Sequence, residues 1–298
     1  MPLIQTVRFI CSHPLNKGRK LQALLRYFRW QVGSRLLPGQ VVVPFVDHTR
    51  LLISPGMAGA TGNVYCGLHD FEEMGFVLHV LGEGDCLVDI GANVGTYSIL
   101  AAGAGGAHVL SFEPAPATFA HLVDNVRLNR LENKVTALNL GLGSKAGKLR
   151  FSTLLDTTNH ILADNEQDEP SIEVKIERLD TYLENIGGRP FVIKLDVEGF
   201  EAEVLAGGSK VLSSPNLLAV IAEENGCGNR YGTPRDALGR ILESHALVHY
   251  GYDPLQRRLV RPDERKGAGC NQIYIRDKNS LECRVRAAKA HRIGKQIL

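Results

Sequence analysis

From Cys86 onward, short apolar runs alternate with segments of helical periodicity, and that alternation leaves few architectures open to the chain. Residues 86–90, 108–112, 135–140, 191–195 and 217–222 are short and mostly apolar, as strands buried on both faces are. Between them, residues 96–104, 116–129 and 200–212 carry helical spacing, the second with Pro116 at its start. A further helix is expected over 235–244, and 247–252 and 272–276 are expected to close the sheet. Strands and helices in alternation mean βαβ units, hence an α/β fold with a mostly parallel sheet and helices on both faces.

The first 79 residues read as an extension to that sheet. Residues 41–46 and 51–54 are β-type runs around Asp47-His48-Thr49-Arg50, a hairpin signal. Residues 56–62 are a small-residue loop, and 70–81 a helix leading into the main domain. The expected division is a basic N-terminal extension (1–79), a main domain (80–277) and a basic C-terminal tail (278–298), helical or partly disordered.

The net charge of +2 conceals an uneven distribution. Residues 1–46 hold seven Lys and Arg and no acid, residues 276–298 carry +5, and the span between carries −10. Such ends are either solvated helix faces or contacts for an anionic partner. The segment 21–37 (LQALLRYFRWQVGSRLL) mixes Arg with Leu, Phe and the single Trp, as a basic amphipathic helix does on a bilayer or over a core. No run of 18 apolar residues exists and mean hydropathy is −0.07, which argues against a membrane span. The N-terminus lacks the apolar stretch of a secretory signal. The six cysteines include no C-x-x-C pair, so neither a disulfide framework nor a zinc site is expected, and a reducing cytoplasm is the expected compartment.

The chemistry gathers where the apolar runs end. The first is followed by Gly91-Ala92-Asn93-Val94-Gly95-Thr96, with Asp89 two residues before the first glycine. Glycines there let the backbone turn sharply into a helix and approach a ligand, at the strand ends where open α/β sheets bind them. The spacing is G-x-x-x-G, not the G-x-G-x-x-G of a dinucleotide site. Glu113, in Ser111-Phe112-Glu113-Pro114, ends the next run 24 positions after Asp89 and suits the two hydroxyls of a ribose. Asp89 suits an ammonium group. Ribose and ammonium without a pyrophosphate describe S-adenosylmethionine better than NAD. A third cluster, Lys194-Leu195-Asp196-Val197-Glu198-Gly199, brings Asp196 and Glu198 to the same edge. Glu201 fits either a helix cap or that cluster, and one of Glu223 and Glu224 is expected to face it.

The blocks DIGANVGTYSIL, SFEPAPATFAHLVDNVRLN, ALNLGLGSKAGKL, ERLDTYL and VIKLDVEGFEAEVLAGGSKVL resemble the FkbM family of S-adenosylmethionine-dependent methyltransferases over residues 85–225, and more loosely over 72–81. K-x-D-V-E-G is the most family-specific of these pieces. The resemblance implies a Rossmann-like class I methyltransferase sheet and O-methylation of a sugar, glycolipid or secondary-metabolite hydroxyl. Carried over by position, Asp89, Gly91, Asn93, Gly95 and Thr96 would line the methionine part and Glu113 would hold the ribose. Many methyltransferases place an acid near the adenine after the third strand; Asn139 stands there, so Asn139 or a backbone carbonyl is the expected contact.

Methyl transfer to a hydroxyl needs in-line placement and a base for the leaving proton. Asp196, Glu198 and His160 are the candidate bases, His160 lying in an irregular insert able to cover the cofactor. Asp196, Glu198 and Glu223 could instead hold Mg²⁺ or Ca²⁺, but no resident metal is expected. The acceptor is expected to be a small molecule or glycan, anionic or lipid-linked, with peripheral membrane contact through the basic N-terminal segment. Its pocket is expected to draw on residues 1–84, 152–175 and 226–270. Nucleic acid is not an expected partner: the chain lacks an N/D-P-P-Y/F block and a P-C motif. RNA methylation and NAD-dependent oxidoreduction stand as alternatives.

Overall fold

A computed structural model describes residues 3–36, 39–153, 158–163, 165–166, 168–234, 236–264 and 271–298. Leu37, Thr157, Arg235 and Cys270, each within a segment named above, lie outside the described residues. The chain opens with α1 (Leu3–Ser12) and α2 (Lys20–Leu36), then β1 (Val41–Pro44) and β2 (Arg50–Ile53). These two strands form the expected hairpin, with Pro44 opposite Arg50. Residues 56–62 do not form a loop as expected: α3 (Ala58–Cys66) covers most of them. Its small residues fit a crowded contact rather than a turn, since a side chain on Gly62 would collide with the His69 ring. Helices α1 to α3 pack around Ile10, Ala23, Tyr27, Tyr65 and Cys66. Arg26 fastens them, donating to Asn16 Oδ1 at 2.9 Å and to the Tyr65 carbonyl at 2.7 Å.

After α4 (Phe71–Val80) comes β3 (Cys86–Ile90), the middle of the fold. It is followed by α5 (Thr96–Ile99), which loosens into a wider turn over Leu100–Gly105, then β4 (His108–Phe112), α6 (Pro116–Leu128) and β5 (Val135–Leu138). Strand β5 stops two residues short of the run expected to 140, because Asn139 turns its amide back to the carbonyls of Glu113 and Pro114. The stretch beyond, expected to be irregular, contains β6 (Gly141–Leu142), β7 (Gly147–Ser152) and β8 (Ser171–Glu177), which form a separate three-stranded sheet. Short helix α7 (Leu183–Ile186) precedes β9 (Phe191–Leu195). The single helix expected over 200–212 is two, α8 (Glu201–Ala206) and α9 (Ser209–Leu212). The break falls at Gly207, where a side chain would overlap the Gly143 carbonyl. Then come β10 (Leu217–Glu223), α10 (Ala237–Ser244), β11 (Val248–Asp253), β12 (Arg258–Val260), β13 (Asn271–Ile275) and α11 (Lys278–Ala287).

The main sheet has eight strands in the order β12-β11-β13-β10-β9-β3-β4-β5. Strands β10, β9, β3, β4 and β5 run parallel, and β13 pairs antiparallel with β10. Every residue of β3 and β9 is buried. Alternation divides them between two layers: Leu87 and Val192 join the side covered by α4, α6 and α11, while Val88, Ile90, Ile193 and Leu195 join the side covered by α8, α9 and α10. This is the Rossmann-like α/β arrangement expected.

Both ends of the chain are fastened to this body. Asn125 of α6 accepts from the Leu52 N–H at 2.7 Å and donates back to its carbonyl at 3.2 Å, which clamps the hairpin. In the basic tail, Arg284 of α11 pairs with Asp85 at 2.9 Å. A terminal hairpin, β14 (Arg292–Ile293) and β15 (Gln296–Ile297), then bridges Val46 to Ile293, and His291 meets Asp47 at 2.8 Å. Cys11, Cys66, Cys86, Cys227 and Cys283 are free thiols. Among the described residues no helix is long and apolar enough to cross a membrane.

Among the described glycines, the closest approach of a neighbour is at the exit of β3. Gly91 has φ +75°, and a Cβ there would stand on the carbonyl oxygen of Asp196. Gly91→Ala is therefore expected to cost about 2–4 kcal/mol through strain and displaced backbone. Urea unfolding followed by circular dichroism reads this as a lower midpoint at unchanged slope.

Candidate active site

The parallel strands end together, and a cavity of about 280 Å³ opens along their carboxyl edge. Its floor is the bend after β3. The Gly91 and Ala92 N–H groups donate to the Phe112 carbonyl at 3.0 and 2.9 Å, which pulls the bend against the end of β4. Asn93 takes the left-handed conformation, φ 50°, and points its N–H at Glu113 Oε2, 3.0 Å away. Gly95, φ +87°, packs where any side chain would strike Leu122.

Glu113 is 6% exposed and faces this bend, where it lines the cavity. Its second oxygen accepts from the Ala115 N–H at 2.9 Å. A carboxylate has about four lone-pair sites, so two remain for ligand hydroxyls. Burial pushes the carboxyl up to about 7 despite the two N–H groups that favour its charge. The structure thus holds at Glu113 a half-satisfied acceptor, which suits a ribose diol.

The other expected cofactor residues divide into two groups. Gly91, Asn93 and Thr96 line the cavity with Glu113. Asp89, Gly95 and Asn139 stand behind its wall. Asp89 is fully buried, accepts from Ser98 Oγ at 2.6 Å, and its Oδ1 has no partner among the described residues. Burial raises its carboxyl, against the opposing pull of Lys194. Its free oxygen is the polar atom that an ammonium group, or a water leading to one, would satisfy. Asn139 braces the turn after β4; Gly141 and Leu142, two and three residues on, reach the cavity in its place. That end is apolar, with Phe151, Ile161, Ile176 and Phe200, and fits a flat purine.

Another part of the lining is acidic. Asp196, Glu198 and Glu223 form it, each offering an oxygen within 4.8 Å of the others. Buried Lys194 donates to Asp196 Oδ2 at 2.6 Å and lies 5.2 Å from the centre of the Tyr97 ring. Burial lowers that ammonium, but Asp196 and Asp89 outweigh it and hold the group above its ordinary value. Glu198 sits at φ 55°, a strained conformation for a residue with a side chain. Burial and Asp196 push it up to about 7. Glu223 is pushed up to about 9 by burial, Asp196 and Glu198, and so holds a proton at neutral pH. Asn225 joins the two, donating to Glu223 at 2.9 Å and Glu198 at 3.2 Å. Glu224 turns away to accept from Tyr274, and Glu201 caps the turn by accepting from the N–H groups of Val197 and Gly199.

His160 does not stand among these carboxylates. It is buried in the insert, with Nδ1 on the Thr158 carbonyl at 2.9 Å and Nε2 3.3 Å from Glu166. Both ring nitrogens are engaged, and its neighbours Asn159 and Ile161 line the cavity instead. The structure also brings in residues the sequence did not single out. Tyr97 donates to Asp70 at 3.0 Å, and Gly59, His69, Asp70 and Met74, from α3, α4 and the segment between them, also line the cavity. Tyr97 follows Thr96 directly at a helix start whose inward face is predictable; Asp70 carried no signal.

The sequence profile of the Methyltransferase FkbM domain matches residues 89–252. This chain belongs to the FkbM methyltransferase family, whose methyl donor is S-adenosylmethionine. Among curated proteins, it is 35% identical over 141 residues to the hexuronic acid methyltransferase AglP of Haloferax volcanii, covering 46% of this chain and 56% of that protein. It is 32% identical over 143 residues to Methyltransferase 1 of Beauveria bassiana, covering 41% and 57%. The chain spans a little over half the length of these relatives. Among solved structures, the FkbM methyltransferase of Methylobacillus flagellatus aligns at a TM-score of 0.43 and 14% identity, covering 86% of this chain and 60% of that one.

The Glu223 environment gives a stability prediction. Its carboxyl lies at about 9 in the fold against 4.5 when unfolded, so its contribution is full below 4.5 and is lost as pH rises through about 9. Glu223→Gln, which keeps the neutral form, is expected to flatten the fall in melting temperature over that window. Melting curves of both proteins at matched pH values check this; parallel curves would contradict it.

Proposed function

We propose that the protein is an S-adenosylmethionine-dependent O-methyltransferase acting on a hydroxyl of a sugar, glycolipid or secondary metabolite. The observation that carries this reading is the orientation of Glu113: a buried carboxylate, half satisfied by backbone, turned into a glycine bend whose cavity ends in a second acidic cluster. The glycines of the bend are spaced G-x-x-x-G rather than as the G-x-G-x-x-G of a dinucleotide site, which counts against NAD. Similarity to a hexuronic acid methyltransferase makes an anionic sugar the first acceptor to try.

Bound along this edge, S-adenosylmethionine supplies an electrophilic methyl group. The chain's own part is to hold the acceptor in line and to take its proton. Glu198 suits the proton transfer, because it lines the acidic end, is held at a strained backbone position, and titrates near neutral pH, where a general base works best. Asp196, fixed by Lys194, orients the acceptor hydroxyl. Glu223, protonated at neutral pH, and Asn225 hold Glu198 in place. Tyr97 and Asp70 close the acceptor side. The reading places the enzyme in the cytoplasm, where its thiols stay reduced, with a lipid-linked or anionic acceptor met at a membrane surface.

Calorimetric titration is expected to show S-adenosylmethionine binding and no NAD binding. Glu113→Ala should weaken the former about tenfold or more, since a buried bidentate acceptor is lost. With a uronic-acid glycan as acceptor, the rate should rise with pH through about 7 as Glu198 ionises. Glu198→Gln should lower kcat about 100-fold and remove that limb while cofactor binding persists. Dialysis against a chelator should leave the rate unchanged; a loss restored by Mg²⁺ would hand the acidic cluster to a metal.

A further inference from the structure

Helix α2 carries two apolar faces and covers only one of them. Ala23, Tyr27 and Trp30 face inward and pack on α1 and α3 or the main core. Leu21, Leu25, Phe28, Val32 and Leu36 are between 47 and 74% exposed. At 100° per residue these five fall within an arc of about 80°, on the side opposite the inward group. They form one continuous stripe along the helix, not scattered surface residues. Arg29 and Arg35, both exposed, border the stripe on its two sides.

The charge around the stripe selects its occupant. Residues 1–46 contain seven cations and no acid, although the remainder of the chain is net acidic. A second copy docking face to face would set two such segments against each other. A protein partner would have to match both the apolar row and the positive flanks. An anionic bilayer satisfies both: acyl chains take the stripe, and headgroup phosphates take Arg29, Arg35 and the basic residues that precede them, Lys17, Arg19 and Lys20.

We infer that the outer face of α2 is a membrane-docking surface, on which the protein lies with α2 parallel to an anionic lipid surface. This gives the membrane contact proposed above its residues, and it does not depend on the methyl-transfer reading. Helix α2 packs on α3, whose Gly59 and Ala60 wall the cavity, so docking would set the acceptor end of the site near the interface. An acceptor carried on a lipid could then be reached without leaving the bilayer.

The test is co-sedimentation of the full chain with vesicles of phosphatidylcholine alone and of phosphatidylcholine mixed with phosphatidylglycerol. The expected result is pelleting with the mixed vesicles only, weakened by salt. Leu25→Glu combined with Phe28→Glu should reduce the bound fraction about tenfold or more. Both residues are exposed, so the double variant should keep its melting temperature and its affinity for S-adenosylmethionine, a readout that separates this inference from the cofactor assignment. Arg29→Gln with Arg35→Gln should retain weaker binding with a shallower salt dependence. Absence of pelleting, or pelleting that the Leu25 and Phe28 substitutions leave intact, overturns the inference. So does a concentration-dependent dimer, seen by sedimentation velocity, that those substitutions abolish, since the stripe would then belong to a second copy.

Discussion

The carbonyl of Asp196 occupies the space where any side chain at position 91 would stand. This close approach locks the exit of β3 to the exit of β9, and the site depends on it. The Asp196 N–H returns the contact by donating to the Ile90 carbonyl at 3.1 Å. On one side of this crossing the chain bends through Asn93 toward Glu113; on the other it carries Asp196 and Glu198 forward. The proposed cofactor and acceptor ends of the cavity are thus two sides of one backbone crossing. Their separation is set by the sheet rather than by flexible loops, as in-line transfer requires.

Burial then assigns different states to similar groups. Glu113, Glu198 and Glu223 are all glutamates near strand ends. Glu113 keeps two backbone donors and free lone pairs, so it remains an acceptor for hydroxyls. Glu198 and Glu223 share Asn225 and repel each other and Asp196, which leaves one proton-loving and the other poised. Lys194, buried beside them, pairs with Asp196 at 2.6 Å, so Asp196 is not a third unpaired carboxylate of the cluster. Environments that drive like groups apart let one fold hold similar carboxyls in different protonation states, as the proposed division between hydroxyl acceptor and base requires.

The sequence made the sheet legible because its strands are short, mostly apolar and flanked by glycine, as residues 86–90 are by Gly91 and residues 191–195 by Gly187 and Gly188. It made Gly91, Glu113, Asp196 and Glu198 legible because strand ends in such a sheet converge. It hid what depends on tertiary contact. The small residues of α3 read as a loop, yet they are small because His69 lies against Gly62. In β8, Ile172, Val174 and Ile176 alternate as a half-buried strand should, a signal present but outweighed by the polar insert before it. His160 has the chemistry of a base, and only its bonds to Thr158 and Glu166 show that it serves the insert. Asp70 and Tyr97 meet across 27 positions, a pairing no local pattern encodes.

The most direct measurement is a crystal structure of the chain grown with S-adenosylhomocysteine. Density is expected along the bend after β3, with both ribose hydroxyls on the Glu113 carboxylate and the sulfur directed toward Asp196 and Glu198. Density at another edge of the sheet, or a ribose held by other residues while Glu113 keeps only its two backbone donors, would contradict this placement.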